Sequence, residues 1–301
     1  MIVIEYLLYP GIIFIMAVSF LVSWLDRKVS ALVQWRVGPP LFQPVYDFFK
    51  LMNKETLVPR DSSILTFLLS PVISFSAVIL IGFILLKTNL AAEGFGGDIF
   101  VIVYLLLIPS FAVIMSGASS ANPLASLGSS REMKLVLSYE LPFILALCVI
   151  FIKTDGLIEL SSIISYQQSH GVIAGSVSGF LALLVTIVCF QSKMAQIPFD
   201  IPEAEQEIMG GVMIEFSGPP LGLFVVSRWI LMSVLPFFTV ILFLGGINTW
   251  PGILKYLGII VVVILFKNTN PRLRINQTLR FFWGPVTLLA GVSVILALMG
   301  L

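Results

Sequence analysis

Carboxylates are scarce in this 301-residue chain, yet five of its 16 acidic residues fall within 16 consecutive positions. They are Asp200, Glu203, Glu205, Glu207 and Glu215. Carboxylates held close together shift one another's pKa and can pass protons. The apolar run that resumes at Gly210 favours this function, because it draws the last two acids toward low dielectric. Acids also favour a helix N-terminus for its macrodipole alone, so a purely structural role stays open.

The start of this stretch is typical of a helix N-terminus, with Asp200 as the N-cap and Pro202 in the first turn. Glu203 and Glu207 are four residues apart and would then share one helix face. The sequence therefore predicts two neighbouring carboxylates at the membrane boundary.

A sixth carboxylate, Glu140, lies inside an apolar run, about six residues or roughly 9 Å of helical rise beyond Lys134. Ionisable residues within membrane spans mark ion paths by default. Pro142 loosens the backbone beside it and can admit water. The alternative is a structural pair with a base such as Lys134 or Arg228. Arg228 lies roughly ten residues into another apolar run and itself needs a partner or water.

Metal chemistry has few ligands in this chain. Cys148 and Cys189 lie in separate apolar runs without a CxxC motif, and His170 is the one histidine. Iron–sulfur clusters need four thiolates, and zinc sites need several N or S ligands. We therefore expect no metal cofactor in this chain, and we interpret the thiols as small buried hydrophobes. There is no nucleotide-binding glycine loop, and no nucleic-acid partner is expected.

The elements that must position these residues are membrane helices. The chain is 58% hydrophobic and 11% charged, with a mean hydropathy of +1.05, whereas soluble domains carry about 25% charged residues. A span needs roughly 20 apolar residues. The sequence thus predicts an all-α integral membrane protein, one transmembrane domain over 1–301 with about eight spans: 3–25, 64–86, 99–118, 135–152, 172–192, 219–244, 252–266 and 281–301.

Basic residues orient these spans, because Lys and Arg collect in cytoplasmic loops. Eight spans divide the 17 Lys and Arg residues into thirteen on one side, three on the other and Arg228 within a span. Both termini are therefore predicted outside. Four long inner segments, 26–62, 119–134, 193–218 and 267–280, hold nearly all the unusual chemistry. The third, from about 193 to 218, is the acidic cytoplasmic loop.

The first inner segment contains an interfacial amphipathic stretch at about 31–53. Val45, Phe48, Phe49 and Met52 recur at helical spacing and are opposed by Asp47 and Lys50. This pattern predicts a helix at the interface, which either packs on the bundle or serves as a docking platform for a soluble partner. The basic second and fourth inner segments could bind acidic lipid or a partner subunit. The bias of basic residues toward the cytoplasm would explain them equally well.

Six ordered sequence blocks together resemble subunit 1 of respiratory complex I. The resemblance extends to its relatives in energy-converting membrane-bound [NiFe] hydrogenases and the related sulfane sulfur reductase complex. The blocks are Asp26-Arg27-Lys28, Arg36-Val37-Gly38-Pro39 with Gln43-Pro44, Arg131 leading to Ser138-Tyr139-Glu140, Pro198 to Glu205, Glu215-Phe216-Ser217-Gly218, and Pro271-Arg272-Leu273-Arg274. The resemblance that these blocks carry covers nearly the full length of the chain.

Departures from complex I favour the hydrogenase branch. The first loop is shorter after Pro40, Asp26 stands where complex I usually has Glu, and Phe216 stands for Tyr. Arg228 occupies a position that complex I leaves neutral or acidic. This difference puts a copied proton path through that helix in doubt.

The resemblance implies a membrane anchor and coupling subunit of a ferredoxin-linked, ion-pumping hydrogenase complex in a prokaryotic cell membrane. Hydrogenase-like large and small subunits and a ferredoxin-like iron–sulfur subunit would carry the NiFe centre and iron–sulfur clusters. Antiporter-like subunits would lie beside the chain in the bilayer. The six carboxylates would couple the redox site to ion transport. Docking or charge support would come from Asp26, Arg27, Arg36, Asp47, Arg131, Lys134, Arg228, Arg272 and Arg274.

Other functions remain open at this stage. The same subunit could belong to a sulfur-reducing or quinone-reducing relative. A passive scaffold could use the acids only to hold neighbouring subunits. An independent secondary transporter fits worst, because the chain has no inverted repeat and its polar residues crowd one side.

Overall fold

The computed structural model describes residues 9, 11–91, 94–248 and 250–301, with the side chains of Ala91 and Glu205 excepted. All regular secondary structure in these ranges is helical, which confirms the all-α prediction. The helices are α1 (Ile12–Val33), α2 (Gln43–Met52), α3 (Ile64–Ala91), α4 (Asp98–Leu105), α5 (Ile108–Ser119), α6 (Pro123–Lys153), α7 (Leu160–His170), α8 (Val177–Lys193), α9 (Glu205–Ile208), α10 (Gly218–Leu244), α11 (Trp250–Thr269), α12 (Ile275–Phe281) and α13 (Thr287–Leu298).

Six candidate membrane spans are long and apolar enough to cross a bilayer within these ranges. They are α3, α4 with α5, α6, α10, α11, and α12 with α13. They correspond to six of the eight predicted runs. The predicted run at 172–192 becomes α8, which has 17 residues, and the run at 3–25 lies partly outside the described residues. The count of eight spans and the outer placement of both termini stay predictions.

Helix α10 lies at the centre of the bundle. In the most apolar stretch of α10, 83% is buried inside the bundle, whereas the corresponding share is 28% for α11 and 28% for α12 with α13. It packs against α1, α2, α3, α8 and α11. A helix that is apolar all round belongs in such an interior position, so α10 is the scaffold on which the other elements are placed.

The last span is irregular where Pro285 interrupts it. Proline has no N–H to continue the helical ladder, and the backbone widens to a π-helix over Phe282–Val286. The Thr287 hydroxyl donates to the Phe282 carbonyl at 2.6 Å. The same carbonyl accepts the Thr287 main-chain N–H, five residues along the chain, which closes the widened turn.

Helix α6 begins twelve residues before the predicted span at 135–152, so the prediction of a loop at 119–134 is wrong over most of its length. Asn122 caps the helix by accepting the Leu124 N–H at 2.9 Å, and Pro123 fits the first helical position. Arg131, Lys134 and Glu140 therefore project from one continuous helix. Helix α1 likewise continues to Val33, beyond the predicted end at residue 25.

Candidate functional site

The four predicted inner segments meet at one end of the bundle, here called the polar end. Asp26 pairs with Lys267 at 2.8 Å, which joins α1 to α11. Arg272 pairs with Asp200 at 2.7 Å, which joins the fourth segment to the third. The Asn122 amide donates to Glu215 at 2.5 Å, which joins the second to the third. The segments that the sequence assigns to one side of the membrane thus form one surface.

The acidic loop does not form the predicted helix start. Asp200 makes no side-chain cap and precedes a 3₁₀ turn at Ile201–Glu203. Ala204, with φ −48° and ψ 94°, then separates this turn from α9. The predicted shared face of Glu203 and Glu207 is therefore wrong, because a non-helical residue between them breaks the helical register.

The described acids of this loop contact polar or basic side chains from other elements. Glu203 pairs with Arg228 of α10, and Glu207 pairs with Arg131 of α6 at 2.6 Å. The predicted need of Arg228 for a partner is thereby met. The side chain of Glu205 lies outside the described residues.

Glu140 pairs with Lys193, the last residue of α8, at 2.9 Å. The lysine side chain is 2% exposed, and its ammonium group also lies 4.8 Å from the Tyr139 ring centroid and 5.0 Å from that of Phe143. The suggested partners of Glu140, Lys134 and Arg228, are therefore wrong. Lys193 opens the predicted inner segment 193–218, but α8 extends to this residue and its ammonium group reaches the carboxylate.

Glu132 is not among the predicted site residues, yet it lies on α6 eight residues before Glu140 and is 4% exposed. Its Oε2 atom has no hydrogen-bond partner among the described residues. It lines a cavity of about 30 Å³ together with Lys193, Glu203 and Arg228. Such a cavity can hold a water molecule, and a buried carboxylate needs one or a proton.

Glu132 thus lies between two ion pairs. One is Lys193 with Glu140, deeper in α6 and α8, and the other is Arg228 with Glu203, at the acidic loop. The result is a series of ionisable groups from the polar end into the bundle. A spacing of eight residues places Glu132 and Glu140 on the same side of a helix. The sequence does not indicate this, because Glu132 falls in the predicted inner segment 119–134 and outside the predicted span.

Helix α2 packs across α1 and α10 at the polar end. Phe48 lies 5.8 Å from Phe20, and Phe20 lies 5.8 Å from Trp229 between ring centroids. Arg27 pairs with Asp47 at 2.6 Å and stacks over Trp229 at 5.5 Å. These contacts fix the amphipathic segment firmly on the bundle.

The outward side of α2 is also apolar. Phe42, Tyr46 and Phe49 are 57–64% exposed, and their i, i+4, i+7 spacing gives one stripe. Phe49 therefore points away from the bundle, although the sequence pattern grouped it with Phe48. Such a stripe suits an interfacial helix.

The other predicted docking residues do not join the buried series. Lys134 and Arg274 are exposed and make no ion pair with any described residue. Cys148 is half-buried and Cys189 is buried. The described part of the chain holds no group of three His, Cys, Asp or Glu side chains placed to bind a metal.

Fold and site together define a class: a multi-pass helical membrane protein with ionisable groups that enter the bundle from one end. A family model described as NADH dehydrogenase matches residues 6–298. The chain belongs to this family, which is the membrane subunit 1 family of complex I. The resemblance carried by the six sequence blocks is thereby confirmed.

A solved structure extends this relationship. A chain in the structure of the membrane-bound sulfane sulfur reductase (MBS), an archaeal respiratory membrane complex, matches with a TM-score of 0.86 and 25% sequence identity. The match covers 95% of this chain and 96% of that chain. The fold over that length is therefore similar to that of a chain of a respiratory membrane complex.

Proposed function

We propose that the chain is the membrane anchor and coupling subunit of a ferredoxin-linked, ion-pumping complex of the hydrogenase type in a prokaryotic cell membrane. Its soluble partners are hydrogenase-like large and small subunits and a ferredoxin-like iron–sulfur subunit. These partners carry the NiFe centre and the iron–sulfur clusters. Antiporter-like subunits adjoin it in the bilayer.

One observation carries this proposal: Glu132 lines a small buried cavity between two ion pairs, Lys193 with Glu140 and Arg228 with Glu203. Intramembrane ionisable residues are expensive and mark ion or proton paths. A chain that only anchored its neighbours would bury its helices at lower cost with apolar residues. The buried series therefore supports coupling rather than a passive scaffold.

The cluster can convert movement at the polar end into a change of protonation. The two bases each face a cavity that also holds the Glu132 carboxylate. A base that moves to Glu132 leaves its former partner carboxylate unpaired, and an unpaired buried carboxylate binds a proton. When the base returns, that proton is released. Redox events in a soluble arm need only displace the acidic loop, which holds Glu203, to drive this exchange.

A sulfur-reducing complex of the same architecture is the second candidate. It is supported by the likeness to a chain of the MBS complex over nearly the full length. A quinone-reducing relative fits the family model equally well but has no further observation in its favour.

Purification of the subunit in mild detergent tests the proposal, with identification of the co-purifying chains and an assay for nickel. We expect nickel together with hydrogenase-like partners. Partners of the same architecture without nickel would select the sulfur- or quinone-reducing relatives, and adding quinone to the intact complex then separates these two. A subunit that purifies without partners would refute the coupling role.

A further inference from the structure

A groove of about 580 Å³ opens at the polar end, beside the buried series and separate from it. It lies between the C-terminal ends of α1 and α11 and is closed on one side by residues 34–39. Its volume falls within the range of about 300–1,000 Å³ that is typical of ligand pockets. The groove is thus large enough to receive several side chains or a small ligand.

Positive charge dominates this groove. Four bases line it, Arg27, Arg36, Lys267 and Arg272, against one acid, Asp26. Ion pairs with Asp26, Asp47 and Asp200 neutralise three of these bases, so one positive charge remains unpaired. The Gln34 amide, which also lines the groove, donates to Asn268 at 3.0 Å, and its second N–H and its oxygen can bond a carboxylate or a main-chain N–H. The lining therefore fits an anionic, hydrogen-bonding ligand.

Arg36 differs from the other three bases because its side chain has no acidic partner among the described residues. Each of the others pairs with a carboxylate: Arg27 with Asp47, Lys267 with Asp26 and Arg272 with Asp200. The exposed Arg36 side chain makes no ion pair or hydrogen bond with any described residue. Its charge is available for a ligand.

The residues on either side of Arg36 are held out into solvent. Trp35 is 98% exposed and Val37 is 95% exposed. Trp35 adopts φ +58°, which is uncommon for a bulky residue, and the Arg36 N–H donates to the Ala31 carbonyl at 2.9 Å. Trp and Arg are the residues that most often anchor protein interfaces, so this rim has the composition of a docking site.

We propose that this groove binds an acidic segment of the soluble partner subunit, with a carboxylate paired to Arg36 and apolar side chains packed on Trp35 and Val37. The inference rests on the proposed function, which places a soluble arm at the polar end. A protein partner suits the combination of one unpaired guanidinium, an amide and two apolar flanks better than a phosphate group, which would leave Trp35 and Val37 without a contact.

A photo-crosslinking residue at Val37 in the intact complex identifies the occupant while leaving every groove charge in place. The expected adduct is a segment of a soluble subunit that contains Asp or Glu. An adduct with phospholipid, or with a protein segment that lacks acids, would overturn the proposal.

Charge reversal gives an independent test in the same complex. Arg36→Glu should weaken retention of the soluble subunits at least about tenfold at moderate salt, since it opposes like charges in the interface. Arg36→Lys should retain most of the binding, and reversing the crosslinked acid to Lys should rescue Arg36→Glu. The matched control is Arg280→Glu, an exposed base of the fourth inner segment that does not line the groove.

The possible outcomes separate the two proposals. If Arg36→Glu and Arg280→Glu weaken retention equally, or neither does, the groove is not the docking site although the coupling function stands. If even the wild-type subunit retains no soluble partner, the proposed function fails as well.

Discussion

The two ends of the bundle use their polar residues differently. At the polar end, carboxylates face bases: six ion pairs join described residues there. At the opposite end, Lys153 and Lys255 donate to the main-chain oxygens of Leu301 and Leu244, and the Asn89 side-chain oxygen accepts the Ile247 N–H. The contacts at the opposite end satisfy main-chain groups. Only the ion pairs at the polar end let a charged group exchange one charged partner for another.

Each end also holds one fully buried carboxylate with an unpartnered oxygen among the described residues, Glu132 and Asp98. Asp98 accepts the Leu160 N–H at 2.9 Å at the start of α7, where the helix macrodipole favours its charge. Glu132 instead lines a cavity with two bases. Burial alone therefore does not mark a coupling residue, whereas room for water and a choice of partners does.

The largest expected effect comes from neutralising Glu132. We expect Glu132→Gln to reduce ion transport by the intact complex in proteoliposomes by about 10²-fold, the scale of a lost proton-transfer group. Electron transfer to a soluble acceptor should continue, because the redox centres lie in other subunits. Both activities are measured on the same preparation.

Asp98→Asn is the matched control for this experiment. It keeps the acceptor oxygen for Leu160 and removes one buried charge, so transport should stay within about twofold, while the loss of a negative charge at the start of α7 costs about 0.3–1 kcal/mol. Equal losses of transport in both variants would show that the two ends do not differ in the way proposed.

A smaller effect is expected on stability from the Lys193–Glu140 pair. Lys193→Met leaves a carboxylate without its base in the bundle interior, which costs about 3–5 kcal/mol when one member of a buried pair is removed. The double variant Lys193→Met with Glu140→Gln should recover most of that loss. The melting temperatures of the two variants and the wild type in detergent measure the coupling.

Lys153→Met at the opposite end provides the comparison for this series. Lys153 donates to one main-chain carbonyl, and its loss should cost less than about 1 kcal/mol. A loss as large as that of Lys193→Met would contradict the assignment of the strong charge pairs to the polar end. Failure of the double variant to recover stability would show that Lys193 acts through its ring contacts with Tyr139 and Phe143.

The sequence predicted the membrane class, six of the spans and the grouping of the charged segments, because apolar run length and basic-residue bias are strong signals. It also singled out Glu140 and Arg228 as charges in apolar surroundings. These inferences depend on local composition, which the chain displays directly.

The pairings themselves could not be predicted. Glu140 meets Lys193 across 53 positions and Arg228 meets Glu203 across 25, and such partners depend on how helices pack. Glu132 escaped notice because the residues before it, Gly128 to Ser130, are typical of a loop. The Asn122 cap and the packing of α6 on its neighbours override that local preference.

The smallest effect is expected at the Arg131–Glu207 pair, which lies at the polar end but is half open to solvent, with side chains 20% and 50% exposed. Exposed pairs contribute about 0–1 kcal/mol and weaken with salt. Arg131→Ala or Glu207→Gln should therefore change the melting temperature little, less still at high salt, and leave transport within about twofold of wild type. If Glu207→Gln instead abolished transport while stability was unchanged, the acidic loop would belong to the relay itself, and the functional boundary would move outward from Glu203 to the end of the loop.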